Sequence, residues 1–279
     1  MPNPDSRIPT SKARASPSGP FVYHADGMTE ERATLRGAAW LHALVRTILT
    51  YLVVGLWTLV LGPPALLLAY LTRNPTALYL AARGGVRLAL ASSGIRYRVE
   101  GRSHLPAGRT AVYCANHQSN VDAPLLFLVL HPRLRLLFKR EFEKVPILGP
   151  ACGLAGFIPV ERRNPAQSQA AVDAAAVELA RGHSFLVFPE GTRSRTGELL
   201  PFKKGSFIMA LKAQVPLVPV AIRGGRSAMA RGSAIIRPSR VEVRIGAPID
   251  TTGLGFDDRD ELAARARGAI ERLLGEVVS

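Results

Sequence analysis

The sequence is short of cysteine, aromatic residues and acidic charge, and each shortage excludes something. Among 279 residues there are two cysteines, Cys114 and Cys152. Two thiols cannot build a disulfide framework, and they fit a reducing compartment better than a secreted protein. There is no C-x-x-C pair and no His-Cys cluster, which argues against a structural zinc site. Aromatic residues make up 6% of the chain. That argues against a protein that grips nucleic acid by stacking on bases. Asp and Glu number 21 against 36 Lys and Arg, a net charge of +15. Such a field draws in polyanions: nucleic acid, anionic lipid headgroups or phosphorylated small molecules. Apolar residues are plentiful at 47%, enough for a packed core.

Residues 1–31 carry Pro2, Pro4, Pro9, Pro17 and Pro20 among Ser, Arg and Lys. They read as a disordered tail, and no apolar run follows promptly enough to make them a signal peptide. Charge then disappears for 26 residues, Thr47 to Thr72. A bilayer span needs about 20. The pair Pro63-Pro64 interrupts the run, because proline removes a helix donor and crowds the preceding turn. Thr47–Gly62 alone would be a helix of roughly 24 Å, short of a hydrocarbon core of about 30 Å. A more amphipathic stretch follows, with Arg73, Arg83 and Arg87 spaced along it. Residues 32–92 are therefore expected to form two helices joined at Pro63-Pro64, seated in one leaflet or as a shallow hairpin. Their arginines would snorkel to lipid phosphates. The alternative is a buried core helix, but the run is longer than the 10–14 apolar residues that suit one.

From residue 93 to 279 the chain alternates between short apolar or β-branched runs and helical stretches. Strands are expected at Ile95–Val99, Thr110–Cys114, Leu134–Phe138, Phe157–Val160, Ser184–Phe188, Leu217–Ile222 and Val241–Ile245. Helices are expected at Ala123–Leu130, Gln167–Arg181 and Arg259–Val277. The pattern predicts an α/β fold: a mixed, largely parallel sheet covered by helices. Polar residues cluster just after the runs: Asn116-His117, Lys139-Arg140-Glu141, Glu161-Arg162, Pro189–Arg193 and Arg223. In open α/β sheets the ligand cleft lies beyond the carboxyl ends of parallel strands.

Two segments carry chemistry. In Asn116–Asp122, an imidazole and a carboxylate stand five residues apart across a strand-to-helix turn. On a regular helix they would not share a face, but across the turn they can meet. A carboxylate on one ring nitrogen fixes the tautomer and frees the other nitrogen as a general base. The plainer reading makes Asp122 the cap of the next helix and His117 a turn residue. In Phe188–Arg195, a glycine, hydroxyls and two guanidiniums suit an oxyanion such as phosphate. Lys203 and Lys204 follow, and residues 181–245 hold 12 Lys and Arg against 3 Asp and Glu. Read alone, this turn is also compatible with a solvated, salt-bridged loop. Cys114 raises the option of a Cys/His acyl-enzyme, but its place inside an apolar run reads as a small buried hydrophobe.

In order, N-H-x-S-x-x-D at 116–122, K-R-E-x-x-x-x-P-x-x-G at 139–149, G-F-I-P-V-E-R at 156–162, F-P-E-G-T-R-S at 188–194 and V-P-L-V-P-V at 215–220 resemble the glycerophospholipid acyltransferases, specifically the 1-acyl-glycerol-3-phosphate acyltransferases. F-K-K-G at 202–205 matches as well, and the resemblance covers about residues 94–250. Glu161 departs from the Asp or other polar residue common among relatives. The resemblance implies His117 as general base, Asp122 as its orienting partner, and direct attack of the acceptor hydroxyl on an acyl thioester. It implies that Glu190, Gly191, Thr192 and Arg193 hold the glycerol phosphate with Arg162, and Lys139 and Lys203 join the substrate-binding set. Residues 215–220 resemble a block linked to packing near the acyl site. The implied partners are a lysophospholipid acceptor, an acyl-CoA or acyl-carrier-protein donor as co-substrate, and an anionic membrane on its cytoplasmic face. No cofactor and no nucleic acid are expected. Glycerol 3-phosphate and lyso-ornithine lipid are alternative acceptors within the family, and a basic membrane-binding protein without chemistry is the alternative outside it.

Overall fold

The computed structural model describes residues 37–161 and 164–275. The expected tail at 1–31 lies outside them. All seven expected strands form, each within two residues of its predicted ends: β1 (Arg96–Glu100), β2 (Val112–Ala115), β3 (Arg135–Lys139), β4 (Ile158–Val160), β5 (Phe185–Val187), β6 (Leu217–Arg223) and β7 (Arg240–Ile245). They form one sheet in the order β1-β7-β6-β2-β5-β3-β4. The run from β6 to β4 is parallel throughout; β7 joins β6 antiparallel and β1 joins β7 in parallel. The sheet is mixed and largely parallel, as the sequence predicts.

Strand periodicity sorts the core into two layers. Val112 and Cys114 of β2, with Phe185 and Val187 of β5, face α5 (Pro165–Ala180), α6 (Gly205–Ala213) and α8 (Arg259–Gly275). Tyr113, Ala115 and Leu186 face the other way, onto α2 (Thr76–Ser93) and α3 (Asp122–Val129). All four residues of β2 are buried, which is why this strand reads as an unbroken apolar run rather than an alternating one. The helix expected at 167–181 begins two residues earlier. Asn164 caps it, accepting the Gln167 N–H, and Pro165 opens its first turn.

The N-terminal expectation needs one correction. The chain does not break at Pro63-Pro64. A single helix, α1, runs Ala38–Thr72 with both prolines inside it. The turn to α2 comes at Arg73, whose φ of 53° is left-handed, followed by Asn74 and Pro75. The prolines remove two backbone donors, but packing on both sides holds the helix together. Ala65 and Ala69 pack against Leu78 of α2. Further up, Thr47 exchanges hydrogen bonds with the backbone of Ile236, and the Tyr51 hydroxyl donates to the Ala234 carbonyl. Trp57 lies on Gly84 and Gly85 and donates its indole N–H to the Ala81 carbonyl at 2.9 Å. Outward, α1 exposes Leu49, Leu52, Leu56, Leu59 and Leu68 among other large apolar side chains. It is long and apolar enough to cross a membrane.

Candidate active site

The centre of the sheet places the site. β2 lies between β5 and β6, so the loops leaving these three parallel strands share one edge. Asn116, just past β2, is buried and extends the β2–β6 ladder with its side chain. Its Nδ2 donates to the Ile222 carbonyl at 3.0 Å and its Oδ1 accepts the Ile222 N–H at 2.7 Å. This fixes where His117 emerges.

His117 Nδ1 lies 3.0 Å from Asp122 Oδ2. The five-residue offset closes because the chain turns before α3 begins. Asp122 is the first residue of α3, and its carboxylate makes no cap bond to that helix. It points backward instead: Oδ2 also accepts the N–H of Gln118 and of Ser119, each at 2.7 Å. The capping role offered by the plainer reading is thus not the one it has. Asp122 is fully buried, while the His117 side chain is 18% exposed. An ionised carboxylate only accepts, so Nδ1 carries the ring proton and Nε2 keeps its lone pair. The imidazole stacks on Phe188 at 4.0 Å between centroids, which sets the ring plane.

The Phe188–Ser194 segment locks onto His117 from the neighbouring strand. Ser194 N–H donates to the His117 carbonyl at 2.8 Å. Glu190 Oε1 accepts the His117 N–H at 2.7 Å, and Oε2 accepts the Leu200 N–H at 3.0 Å. Glu190 is 4% exposed. Burial pushes its carboxyl above the ordinary range, and these two backbone donors counter the push. Both of its oxygens are therefore engaged inside the protein, as a clamp between two loops.

The other expected ligands divide. Gly191 has φ +67°, a conformation glycine adopts without strain. A Cβ there would stand 2.9 Å from Lys203 Nζ, so Lys203 lies directly over the turn. Arg193 Nη1 is buried without a hydrogen-bond partner among the described residues, and Thr192 is exposed. Lys139 sits at the end of β3, two strands from β2, and pairs with Glu141 at 2.7 Å. Arg162 falls outside the described residues. Cys114 is fully buried in β2, and burial, with the nearby Glu190 charge, pushes its thiol far up. A thiolate nucleophile is disfavoured there. Asn116 was marked in the sequence by its place at a strand tip but not as the brace to Ile222, and Ser119 had no local signal beyond its place within the N-H-x-S-x-x-D motif.

An apolar cavity of about 480 Å³ opens beside the His117–Asp122 loop. Tyr79 and Val86 of α2, Ala123 and Phe127 of α3, and Phe138 of β3 line it, with Asn120 at the loop side. Residues 215–220 do not line it; they lead into and run along β6 in the middle of the sheet.

The family model described as Acyltransferase matches residues 96–223. The chain is 35% identical over 185 residues to the bovine 1-acyl-sn-glycerol-3-phosphate acyltransferase alpha, a stretch covering 66% of this chain and 64% of that protein. It is 35% identical over 169 residues to the 1-acyl-sn-glycerol-3-phosphate acyltransferase of Limnanthes douglasii, covering 60% of this chain and 59% of that one. The chain thus spans less than two thirds of the length of these curated relatives. The crystal structure of the 1-acyl-sn-glycerophosphate acyltransferase PlsC from Thermotoga maritima superposes with a TM-score of 0.74 at 26% identity, over 86% of this chain and 98% of that one. The matched residues contain both His117 and the turn at 190–193, so the similarity to acyltransferases falls on the site itself.

Proposed function

We propose that the protein transfers a fatty acyl chain from a thioester, acyl-CoA or acyl-carrier protein, to the sn-2 hydroxyl of 1-acyl-glycerol-3-phosphate, yielding phosphatidic acid. One observation carries the reading. The loop that carries the His117–Asp122 pair borders an apolar cavity and is bonded to a cationic turn, in which Arg193 Nη1 is buried without a partner among the described residues. An amphiphile with a long chain and a phosphate needs that combination.

In this reading His117 Nε2 takes the proton of the acceptor hydroxyl. The oxygen attacks the thioester carbonyl, the C–S bond breaks, and the thiolate leaves with the proton held by the imidazolium. Asp122 stabilises the imidazolium, and no acyl-enzyme forms. The acyl chain lies in the cavity between α2 and α3, and Arg193 with Lys203 takes the phosphate. The exposed apolar side of α1 sinks into one leaflet, and the two ends of the substrate reach the site from the membrane surface. Thioester donors are cytosolic, so the site faces the cytoplasm.

The test is direct. Purified protein is given radiolabelled 1-acyl-glycerol-3-phosphate, glycerol 3-phosphate, lyso-ornithine lipid and 1-acyl-glycerol, with either donor. Labelled phosphatidic acid is expected from the first acceptor at the highest rate. Faster labelling of any other acceptor overturns the assignment.

A further inference from the structure

Asp122 holds its charge unevenly. Oδ2 takes three donors, from His117, Gln118 and Ser119, whereas Oδ1 is buried without a hydrogen-bond partner among the described residues. The space beside Oδ1 belongs to Gly225, the first residue of α7 (Gly225–Ala228). A Cβ built on Gly225 would stand 2.4 Å from Asp122 Oδ1 and 3.3 Å from Ser119 Cβ. The neighbouring Gly224 is explained by its backbone: φ is +79° and a Cβ would strike the Arg240 carbonyl. Gly225 has no such reason. Its φ is not left-handed, it is helical, and alanine would suit its backbone. What a side chain meets there is the Asp122 carboxylate.

Neither partner can easily retreat. The Ser119 hydroxyl donates to the Met229 carbonyl at 2.8 Å, which ties the end of α7 to the loop that carries Asp122. The Met229 N–H in turn donates to the Gly225 carbonyl at 3.0 Å. A carboxylate pushed off Gly225 has to rotate, and rotation moves Oδ2 away from His117 Nδ1.

We propose that Gly225 is a positioning residue for the His117–Asp122 pair: the missing side chain at 225 leaves the slot that keeps the Asp122 carboxylate against the His117 ring. The inference rests on the reading of that pair as the general base. Gly225 touches no reacting atom and acts only through Asp122.

The experiment uses the full chain with 1-acyl-glycerol-3-phosphate and acyl-CoA, and compares Gly225→Ala with the parent. Gly268→Ala is the control, expected to keep parental activity: a Cβ at this position in α8 meets only Arg272 Nη1, at 3.6 Å. Gly225→Ala should lower kcat by roughly 10–10²-fold, the cost of a misplaced catalytic group. Both KM values should stay within about twofold, because substrate binding is untouched. In an Asp122→Ala background the same change should cost no further activity, and the double variant should melt no lower than Asp122→Ala alone. If Gly225→Ala fails to fold, Asp122→Ala/Gly225→Ala must fold, since the carboxylate that the added methyl meets is gone. Unchanged kcat in Gly225→Ala overturns the proposal. So does an added loss in the double variant, or an equal drop in melting temperature in both backgrounds. Failure of the underlying reading looks different: His117→Ala would then turn over normally, while the melting comparison would still report whether residue 225 meets Asp122.

Discussion

Glu190 Oε1 accepts the backbone N–H of His117 at 2.7 Å, across 73 residues of sequence. With Oε2 on the Leu200 N–H, the carboxylate spans from the base to the loop that carries Lys203. Its position inside E-G-T-R suggests a substrate ligand, yet its surroundings make it a buried brace. Glu190→Gln replaces one acceptor oxygen with an N–H₂ that opposes a backbone N–H. It should lower kcat by roughly 10–10²-fold through displacement of His117. The acceptor KM should change by no more than about threefold. A variant whose defect lies mainly in acceptor KM would return Glu190 to the substrate.

His117→Ala should reduce turnover by about 10²–10⁴-fold, the range for a lost general base. Asp122→Asn should be impaired as well: the amide oxygen can stand in for Oδ2, which takes all three donors, but the neutral side chain no longer stabilises the imidazolium, and its nitrogen is buried where Oδ1 stood. Cys114→Ser should retain turnover, subject to the stability cost of a hydroxyl in the core. A dead serine variant that is still folded, beside an active His117→Ala, would replace the mechanism with a thiol nucleophile.

Arg193 Nη1 is buried without a partner among the described residues, so a bound phosphate oxygen would gain a charge-assisted bond there. Such bonds are worth roughly 1.5–3 kcal/mol net. 1-acyl-glycerol-3-phosphate should therefore exceed 1-acyl-glycerol by at least about tenfold in kcat/KM. Arg193→Ala should raise the KM of the acceptor far more than that of the thioester. Steady-state kinetics with each substrate varied in turn decide the point, and equal rates on both acceptors would release Arg193 from the phosphate.

Glu178 on α5 pairs with Arg135 of β3 and, at 2.7 Å, with Arg181. Burial alone would raise its carboxyl, but the hydrogen bonds and charges of the two arginines outweigh this and hold it below the usual range. A depressed acid contributes stability above its unfolded pKa and loses it as pH falls through the folded value. Glu178→Gln should therefore cost about 1–2 kcal/mol near neutral pH, at the modest end because water reaches part of the carboxylate. The gap between variant and parent should close below about pH 4. Denaturant melts at several pH values measure it; a gap that stays constant with pH would show that the charge is not what matters.

The leucines that α1 exposes predict retention on membranes after a high-salt wash, which strips proteins held by charge alone. Complete release into the soluble fraction would assign attachment to the +15 charge instead.

Much of this was legible in the sequence, for a local reason. The central strands β2, β5 and β6 are buried on both faces and leave unbroken apolar runs, and short apolar or β-branched runs marked the other four as well. His117 and Asp122 were readable as a pair because five residues and one turn bring them together without help from the rest of the fold. The long uncharged stretch announced α1, although its course through Pro63-Pro64 was not readable. Proline reports only the local loss of a donor, whereas the packing of Ala65, Ala69, Thr47 and Trp57 decides whether the helix continues.

Tertiary structure alone decided which strands are neighbours, and with that the roles of distant residues. A polar residue at a strand tip looks the same in sequence whether it meets solvent, ligand or backbone. Placing β2 between β5 and β6 put Glu190 beneath His117, joined Asn116 to Ile222 and set Gly225 against Asp122. It also left Lys139 two strands away, on Glu141. The amino acids determined which segments could be buried. The order in which those segments cover one another's apolar faces is a long-range property of the whole chain, and no local pattern encodes it.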